Sequence, residues 1–288
     1  MKQARDLETL RAKAQSFLAL HTGSEPLILC NVWDAGSARV VEAAGFPALA
    51  TTSSGVANAL GYPDGEAISR EEMADAVARI VAHVAVPVSA DMEAGYGARP
   101  EDAAESARAA LAAGAVGINL EDAAPARDAG LFPIDAATER IRAARAAADT
   151  AGVHLVINAR TDVYLRGGKG EAAFEEAVRR ANAYRAAGAD SLFVPGVAEA
   201  ALIGRLAKAV QGPLNVLAGS ATPPVSELKR LGVARISVGG AAARAALTAV
   251  RRAAEELRSS GTFGFANGII SHGEMNDLLV LTGKTSAR

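Results

Sequence analysis

V-P-V-S-A-D-M-E-A-G-Y-G, residues 86–97, is a short apolar run that ends in two carboxylates and then breaks into a glycine-rich loop. The run predicts a buried β-strand from Val86 to Ala90. Because residues two apart on a strand point to the same face, Asp91 and Glu93 are expected to project side by side at its carboxyl end. Two like charges so placed repel each other unless a cation lies between them, so this stretch also predicts a metal site.

The pattern of a short apolar strand followed by a helix occurs eight times along the chain. The predicted strands are Leu27–Val32, Pro47–Thr51, Val86–Ala90, Ala115–Leu120, Val153–Ala159, Ala189–Val194, Pro213–Leu217 and Ala234–Val238. Apolar strands that alternate with helices indicate parallel pairing, and eight such units most economically close into an α/β fold of the (β/α)8 TIM-barrel type. An open doubly wound sheet is the alternative, but the first turn, Asp34–Ser37, lacks G-x-G-x-x-G.

The chain is expected to form this one barrel domain over residues 1–288, because no composition shift or linker marks a second domain. Apolar spacings of three, four and seven predict an N-terminal helix within residues 1–22. A glycine-rich break at Gly261–Gly268 precedes a C-terminal helical tail, residues 261–288, with a short helix near residues 272–282.

Composition excludes several classes of partner. With 30 basic and 32 acidic residues the net charge is −2, and aromatic residues make up only 4%, which argues against nucleic acid and anionic membrane surfaces. No apolar run approaches the roughly 20 residues of a membrane span. The first twenty residues are too charged for a signal peptide, and the lone cysteine, Cys30, suits a reducing compartment. A cytoplasmic location is therefore expected.

In barrels of this type the active site is built on the loops after the strands. Ionisable and hydroxyl groups follow the first five predicted strands: Asp34, Ser53, Ser54, Asp91, Glu93, Glu121, Asp122, Arg160 and Asp162. Carboxylates without a nearby histidine or cysteine suit Mg²⁺, with Mn²⁺ as the alternative. Arg160 offers a planar fork for a carboxylate. Together they predict a site for a small anionic α-keto acid, in which the metal stabilises an enolate.

Six segments, all at predicted strand ends, carry a family resemblance. They are N-V-W-D-A-G-S (31–37), T-S-S-G (52–55), L-G-Y-P-D (60–64), D-M-E-A-G-Y-G (91–97), G-I-N-L-E-D (117–122) and A-R-T-D (159–162). In this order they resemble the isocitrate lyase/phosphoenolpyruvate mutase superfamily, from about Pro26 to Leu257. The resemblance implies a barrel that binds Mg²⁺ and an α-keto acid. It also implies a homo-oligomer, a dimer of dimers, in which the C-terminal helix is exchanged between subunits.

The resemblance further implies three overlapping sets of site residues. The metal set is Asp91 as the direct ligand, with Glu93 and Glu121 acting through metal-bound water, and Asp64 also resembles a residue that holds such a water. The catalytic set is Arg160, Asp64 and Glu121. The substrate-binding set comprises Trp33, Asp34, Ser53, Ser54, Gly55, Val56, Gly95 and Arg160, in which Ser54, Gly55 and Val56 resemble the cradle for the oxyanion and carboxylate.

The loop after the fourth predicted strand departs from the family's two best-defined branches. The lyase branch places a cysteine there in Lys-Lys-Cys-Gly-His or Lys-Arg-Cys-Gly-His, and the mutase branch uses Lys-Leu-Phe-Pro-Lys with a nearby asparagine. Residues 121–131 of this chain contain no cysteine and no histidine, and Arg127 and Asp128 are the polar candidates left in the loop. This argues against the standard isocitrate or methylisocitrate lyase mechanism, which needs a cysteine acid.

Three functions remain open at this level. The leading hypothesis is a Mg²⁺-dependent lyase that cleaves or forms a C–C bond beside the keto group, with oxaloacetate decarboxylation included, because A-R-T-D (159–162) resembles the lyase branch. The second is an enzyme of C–P bonds, a phosphonopyruvate mutase or hydrolase. The third, motivated by the missing loop group, is a non-catalytic barrel that binds a keto acid.

Overall fold

A computed structural model describes residues 2–124 and 130–280, with nine parallel strands and eleven α-helices in these ranges. The strands are β1 (Leu27–Leu29), β2 (Asn31–Val32), β3 (Leu49–Thr51), β4 (Val88–Asp91), β5 (Gly117–Glu121), β6 (Val156–Arg160), β7 (Ser191–Phe193), β8 (Leu214–Leu217) and β9 (Arg235–Ser237). The helices are α1 (Lys2–Ala19), α2 (Ala35–Ala43), α3 (Ser53–Ala59), α4 (Arg70–Val81), α5 (Pro100–Ala112), α6 (Ile134–Ala151), α7 (Gly170–Ala186), α8 (Ala200–Ala209), α9 (Val225–Arg230), α10 (Ala241–Ser260) and α11 (His272–Leu279).

The strands form a single parallel sheet in the order β1-β9-β8-β7-β6-β5-β4-β3-β2. Its two end strands, β1 and β2, are consecutive in the chain and are separated only by Cys30. Leu27 on β1 lies opposite Arg235 on β9, whereas Asn31 on β2 lies opposite Ala50 on β3. The sheet therefore closes into the predicted α/β barrel. The first predicted strand, 27–32, divides in two because its halves pair with different neighbours.

Side-chain caps fix where α2 and α4 begin. Asp34 accepts a 2.6 Å hydrogen bond from the backbone N–H of Ser37, and the hydroxyl of Ser69 accepts one of 3.1 Å from the N–H of Glu72. The side chains of Ser37 and Glu72 accept in return from the backbone N–H of the capping residue, which completes a capping box at each helix. These caps fix the first turn of α2, directly after β2, and of α4, which follows α3 and a loop.

Helix α1 closes the amino-terminal end of the barrel. Phe17 is completely buried, and a Cβ added to Gly117 on β5 would lie only 2.6 Å from its ring, so the close approach requires glycine. Just beyond α1, the buried His21 interacts through Nδ1 with the carbonyl of Phe17 at 2.9 Å and through Nε2 with Arg235 at 3.2 Å. The predicted N-terminal helix thus covers the amino-terminal end of the barrel.

The C-terminal tail lies against the same chain's own barrel in the residues described. Gly261, in the left-handed conformation with φ +64°, ends α10. Helix α11 contacts α2, where Arg39 Nε donates a 2.6 Å hydrogen bond to the carbonyl of Leu278. Exchange of this tail between subunits stays a prediction, and residues 281–288 lie outside the described residues. In residues 2–124 and 130–280, no helix combines the length and apolar character that crossing a membrane requires.

Acid is expected to destabilise the fold through His21. Burial, followed by the charge of Arg235, lowers the pKa of His21 from 6.5 to about 4. Between these two pH values the unfolded chain binds a proton that the folded chain does not, so the free energy of unfolding decreases as the pH falls. The shift corresponds to about 3 kcal/mol. Urea unfolding across this window should show a smaller loss for His21→Gln, which has no charge to gain.

The matched control for that measurement is His272→Gln, which removes an exposed histidine at the start of α11. Its free energy of unfolding should decrease with falling pH by as much as that of the wild type. Equal pH dependence of the wild type and His21→Gln would contradict the role given to His21.

Candidate active site

A cavity of about 540 Å³ lies at the carboxyl ends of the strands. Its size is within the range of small-molecule sites. Five of the predicted site residues line it: Ser53, Ser54, Asp64, Asp91 and Arg160. The barrel therefore brings together groups that are up to 107 residues apart in the sequence, because the carboxyl ends of parallel strands meet at one edge.

Asp91, the last residue of β4, is held on both of its carboxylate oxygens. Oδ2 accepts hydrogen bonds from the backbone N–H of Ser53 at 3.0 Å and from its hydroxyl at 2.8 Å, and Oδ1 accepts from Asn119 Nδ2 at 2.9 Å. Its backbone N–H donates to the hydroxyl of Thr51 at 2.8 Å. The carboxylate is thus fixed in orientation by residues from both neighbouring strands, Ser53 just after β3 and Asn119 on β5, while it faces the cavity.

Asp64 is the second carboxylate of the cavity wall. The hydroxyl of Ser53 lies 3.4 Å from its Oδ1, so the same serine contacts both Asp64 and Asp91. Burial, and then the nearby charge of Asp91, raise the pKa of Asp64 above its ordinary value. Two carboxylates that share one hydroxyl at a cavity wall form a locally anionic surface.

Glu93 lies behind the wall rather than beside Asp91, so the predicted side-by-side arrangement was wrong. Strand β4 ends at Asp91, and Glu93 has a left-handed backbone with φ +50°, so the alternation of strand side chains no longer applies. Its carboxylate accepts a 2.6 Å hydrogen bond from the backbone N–H of Glu66 and lies 3.4 Å from the hydroxyl of Tyr96. Burial, followed by Asp91, raises the pKa of Glu93 to about 8.

Glu66, which the sequence did not indicate, links two of the site loops. Its carboxylate accepts a 2.7 Å hydrogen bond from the backbone N–H of Tyr96, while its own backbone N–H donates to Glu93. The loop that carries Asp64 is thereby joined to the loop after β4. Glu66 and Tyr96 both have positive φ, a conformation that a linear sequence of non-glycine residues does not reveal.

Arg160, at the end of β6, lies at the cavity between two carboxylates. Its guanidinium pairs with Glu121 at 2.8 Å and with both oxygens of Asp162 at 2.5 and 2.8 Å. Burial alone would lower the pKa of Arg160, but Glu121 and Asp162 outweigh it and raise the pKa further. Burial raises the pKa of Glu121 against the opposing effect of Arg160. Glu121 therefore contacts the site through Arg160 and does not itself line the cavity.

Among the remaining predicted residues, some line the cavity and others pack beneath it. Ser54, which follows the second predicted strand, lines the cavity from the first turn of α3, which begins at Ser53. Gly55 packs so tightly that an added Cβ would lie 2.7 Å from Thr52 and 2.8 Å from Trp33. Those that do not line the cavity are Trp33, Asp34, Gly55, Val56 and Gly95.

Two of these residues have structural contacts that account for their positions. Asp34 is the N-cap of α2. Gly95 has φ +91°, and its carbonyl accepts a 2.8 Å hydrogen bond from the hydroxyl of Ser106. An added Cβ there would lie 3.0 Å from Leu120 and 3.1 Å from Arg140. The backbone at Gly95 thus needs a residue without a side chain.

Sequence reasoning missed much of the cavity lining, which comes from the interior of the barrel. Polar residues there are Asn31, Ser89, Asn119, Asn158, Asn215, Arg235 and Ser237, and Arg244 adds a charge from the first turn of α10. A signal was present, because polar residues occur with a period of two in otherwise apolar strands, as in Asn158 and Arg160 or Arg235 and Ser237. That period marks one face of each strand.

The donor set fits Mg²⁺ held partly by water. Asp91 and Asp64 supply hard oxygen donors at one wall, and Mg²⁺ is usually bound through one or two carboxylates and several waters. In the described ranges, 2–124 and 130–280, no three histidine, cysteine, aspartate or glutamate side chains form a metal-binding cluster. Asp91 is the one of these two carboxylates whose hydrogen bonds to Ser53 and Asn119 hold its orientation at the wall.

The loop after β5 is joined at its base. Ala123 and Leu131 form an antiparallel bridge, and the N–H of Phe132 donates a 2.8 Å hydrogen bond to the carbonyl of Asp122. The polar candidates of this loop, Arg127 and Asp128, lie outside the described residues.

Replacing Asn119 with alanine is expected to weaken Mg²⁺-dependent oxalate binding by about 10- to 100-fold, a typical effect of losing a group that orients a ligand. Asn119 donates to Asp91 and accepts a 3.0 Å hydrogen bond from Asn158, so its loss frees the Asp91 carboxylate to rotate. Calorimetric titration with oxalate at fixed Mg²⁺ measures the effect.

The control for this change is Asn182→Ala, on the outer helix α7, where the asparagine bonds to Ala209 and Gln211. It should leave oxalate affinity as in the wild type. Unchanged affinity in Asn119→Ala would show that Asp91 does not depend on this hydrogen bond.

Known proteins match this chain over most of its length. The profile of the family described as phosphoenolpyruvate phosphomutase matches residues 17–258. A Burkholderia cenocepacia J2315 protein, provisionally described as a lyase/mutase, is 43% identical over 94% of this chain and 96% of its own, with a TM-score of 0.89. The 2-methylisocitrate lyase of Escherichia coli K12 is 30% identical over 88% of this chain and 87% of its own. A phosphonopyruvate hydrolase, solved with oxalate and Mg²⁺, is 26% identical over 92% and 94%, with a TM-score of 0.81.

Proposed function

Since this chain belongs to the phosphoenolpyruvate phosphomutase family, within the isocitrate lyase/phosphoenolpyruvate mutase superfamily, we propose that it is a Mg²⁺-dependent carbon–carbon lyase. Its substrate is a small α-keto acid, or a 2-hydroxy or 2-alkyl dicarboxylate, cleaved or formed beside the keto group through an enolate. Oxaloacetate decarboxylation belongs to this class. Mn²⁺ is the alternative cation.

The observation that carries the proposal is the pairing of opposite charges across one cavity. Asp91 and Asp64 form its anionic wall, and Arg160 provides a guanidinium at the same cavity. A keto acid has both features that such a site needs, because its oxygens can meet a cation while its carboxylate meets an arginine. The oxalate and Mg²⁺ bound by the phosphonopyruvate hydrolase relative support the same ligand class.

Each residue then has a defined part. Asp91 would hold Mg²⁺, which when bound supplies Lewis-acid stabilisation of the developing enolate, on the order of several kcal/mol. Glu121 and Asp162 fix the plane of Arg160, so the guanidinium orients the substrate carboxylate without losing side-chain entropy at binding. Ser54, in the first turn of α3, lines the same cavity and would donate a hydroxyl hydrogen bond to the substrate.

Asp64 is our candidate for holding and returning the proton at the reacting carbon. Its raised pKa keeps a fraction of the carboxyl groups protonated at higher pH than an exposed aspartate. The loop after β5 contains no cysteine to do this. Glu93 and Glu121 remain proposed as outer members of the metal set, acting through water.

A C–P enzyme is the second candidate, favoured by the phosphonopyruvate hydrolase relative and by the family whose profile matches. A substrate panel separates the two. Purified protein with Mg²⁺ is tested on 2-methylisocitrate, 2,3-dimethylmalate, oxaloacetate and phosphonopyruvate. Pyruvate or another keto-acid product from the first three is expected. Release of phosphate or phosphoenolpyruvate from the last would reverse the order of the two candidates. Oxalate binding without any turnover would instead support the non-catalytic barrel.

We also propose that residues 1–288 form one domain of a cytoplasmic homo-oligomer, a dimer of dimers. Helix α10 exposes apolar side chains, among them Leu247 and Val250, and the segment after it exposes Phe263 and Ile269. Apolar side chains exposed along one helix and its extension are typical of a surface covered by a partner. Light scattering during gel filtration gives the number of subunits.

A further inference from the structure

The cavity floor is formed by buried polar side chains that have no role in the proposed reaction. Ser89, Asn158, Asn215 and Arg235 come from β4, β6, β8 and β9 and line the cavity, and each is at most 2% exposed. The interior of such a barrel is usually filled by branched apolar side chains. The polar side chains of this floor therefore depart from the usual apolar filling, and a bound ligand would explain them.

Each of these four side chains has an atom without a hydrogen-bond partner in the described part of the chain. The atoms are Ser89 Oγ, Asn158 Oδ1, Asn215 Nδ2 and Arg235 Nε. A buried polar group left unpaired costs about 1–3 kcal/mol. Asn215 and Arg235 lie directly opposite each other on neighbouring strands, and their unpaired atoms are both N–H donors. Two donors without acceptors, on paired residues of neighbouring strands, are the observation from which we infer an acceptor that enters from the cavity.

Charge indicates the same kind of ligand. Among the described residues, no carboxylate forms an ion pair with Arg235. Its neighbours below are the ring of Phe17, 5.9 Å from the guanidinium carbon, and His21. His21 is neutral near pH 7, because burial and Arg235 lower its pKa to about 4, so it accepts from Arg235 without offsetting the charge. Burial lowers the pKa of Arg235 to about 9, against the smaller opposing effect of the Asp91 charge. A buried cation in this setting is stabilised by an anion.

We propose that the cavity floor at Arg235 and Asn215 is an oxyanion site, which binds a carboxylate-type group by donation from Arg235 Nε and Asn215 Nδ2. The group is either the second acidic group of a bound substrate or a free small oxyanion such as formate or bicarbonate. A planar oxyanion has two acceptor oxygens for two adjacent donors and supplies the missing negative charge. This site needs no metal and is distinct from Asp91 and Arg160.

Formate without metal is the direct probe. The thermal midpoint of the wild type is measured against formate concentration, with ionic strength held constant by a bulky sulfonate. A saturable rise is expected. Arg235→Met should need about 10- to 100-fold more formate for the same rise, the factor expected for losing a charge-assisted hydrogen bond. Asn215→Ala should show a smaller loss in the same direction.

Arg108→Met is the matched control, because Arg108 pairs with Glu105 on the outer surface of α5. It should respond to formate as the wild type does. If Arg235→Met does not fold, Asn215→Ala and a ¹³C-formate NMR titration of the wild type still decide the question. Absence of saturable formate binding to the wild type, or equal formate affinity in all the folded variants, would overturn the proposal.

Two further experiments distinguish whether the oxyanion is part of the substrate or a free small ion. If the floor takes the substrate's second acidic group, formate raises the KM for oxaloacetate without changing kcat, and Arg235→Met removes this competition. If the floor takes a free oxyanion, ¹³C-formate stays bound when Mg²⁺ and oxaloacetate saturate the enzyme. Because the thermal-midpoint and NMR titrations with formate alone need neither metal nor turnover, their outcome is independent of whether the proposed lyase activity is found.

Discussion

Asp91→Ala is expected to abolish Mg²⁺-dependent oxalate binding and to reduce turnover on the order of a thousandfold. The carboxylate lines the cavity wall and is held on both oxygens, by Ser53 and by Asn119. Losing several kcal/mol of enolate stabilisation corresponds to that factor, because each 1.36 kcal/mol is tenfold in rate. Calorimetry with oxalate, with and without Mg²⁺, and steady-state rates measure both effects.

Two further variants separate the charge from the hydrogen bonds. Asp91→Asn keeps an oxygen that can accept from Ser53, so it should fold as the wild type does and still lose metal-dependent binding. Asp75→Ala removes an exposed carboxylate on α4 and should change neither quantity. If Asp91→Ala bound oxalate with its Mg²⁺ dependence intact, the metal assignment would be wrong.

Arg160→Met is expected to lower the free energy of unfolding by about 3–5 kcal/mol, and to eliminate activity as well. Arg160 is the cation between the largely buried carboxylates of Glu121 and Asp162, and its removal leaves two acids without a partner. Breaking a buried ion pair by deleting one partner costs this much because the other charge remains desolvated. Urea unfolding monitored by circular dichroism provides the measurement.

The triple variant Arg160→Met, Glu121→Gln, Asp162→Asn tests the reason for this loss. It contains no uncompensated charge at this position, so most of the stability should return while activity stays absent. Arg205→Met is the matched control, since Arg205 and its partner Glu171 are both exposed, and it should cost far less stability than Arg160→Met because water screens an exposed ion pair. A triple variant as unstable as Arg160→Met would show that packing, rather than charge, is what Arg160 provides.

Much of the fold could be predicted because it depends on local periodicity. Short apolar runs such as 86–90 alternate with helical patterns, and a barrel is the economical closure of eight such units. The division of the first strand at Cys30 could not be predicted, since it arises where β1 meets β9 and β2 meets β3. Pairing between the first and the last strand forms only when the barrel closes, so it leaves no local pattern in the sequence.

The site was predictable where a strand ends and unpredictable where the chain turns. Asp91 and Arg160 are the last residues of β4 and β6, so strand position alone brought them to the cavity. Glu93 lies only two residues further, yet its left-handed backbone turns its carboxylate towards Glu66. A positive φ at a non-glycine residue depends on surrounding contacts, and the sequence does not encode it in any simple pattern.

By itself, the sequence determined the barrel, the family resemblance and the anionic strand ends, because residue type and spacing carry that information. Tertiary structure alone decided which carboxylates face the cavity, how Arg160 is held between Glu121 and Asp162, and that Arg235 Nε at the floor has no hydrogen-bond partner among the described residues. These arrangements join residues from different strands. Their orientation depends on burial, charge and closure of the whole barrel, which act only after the chain has folded.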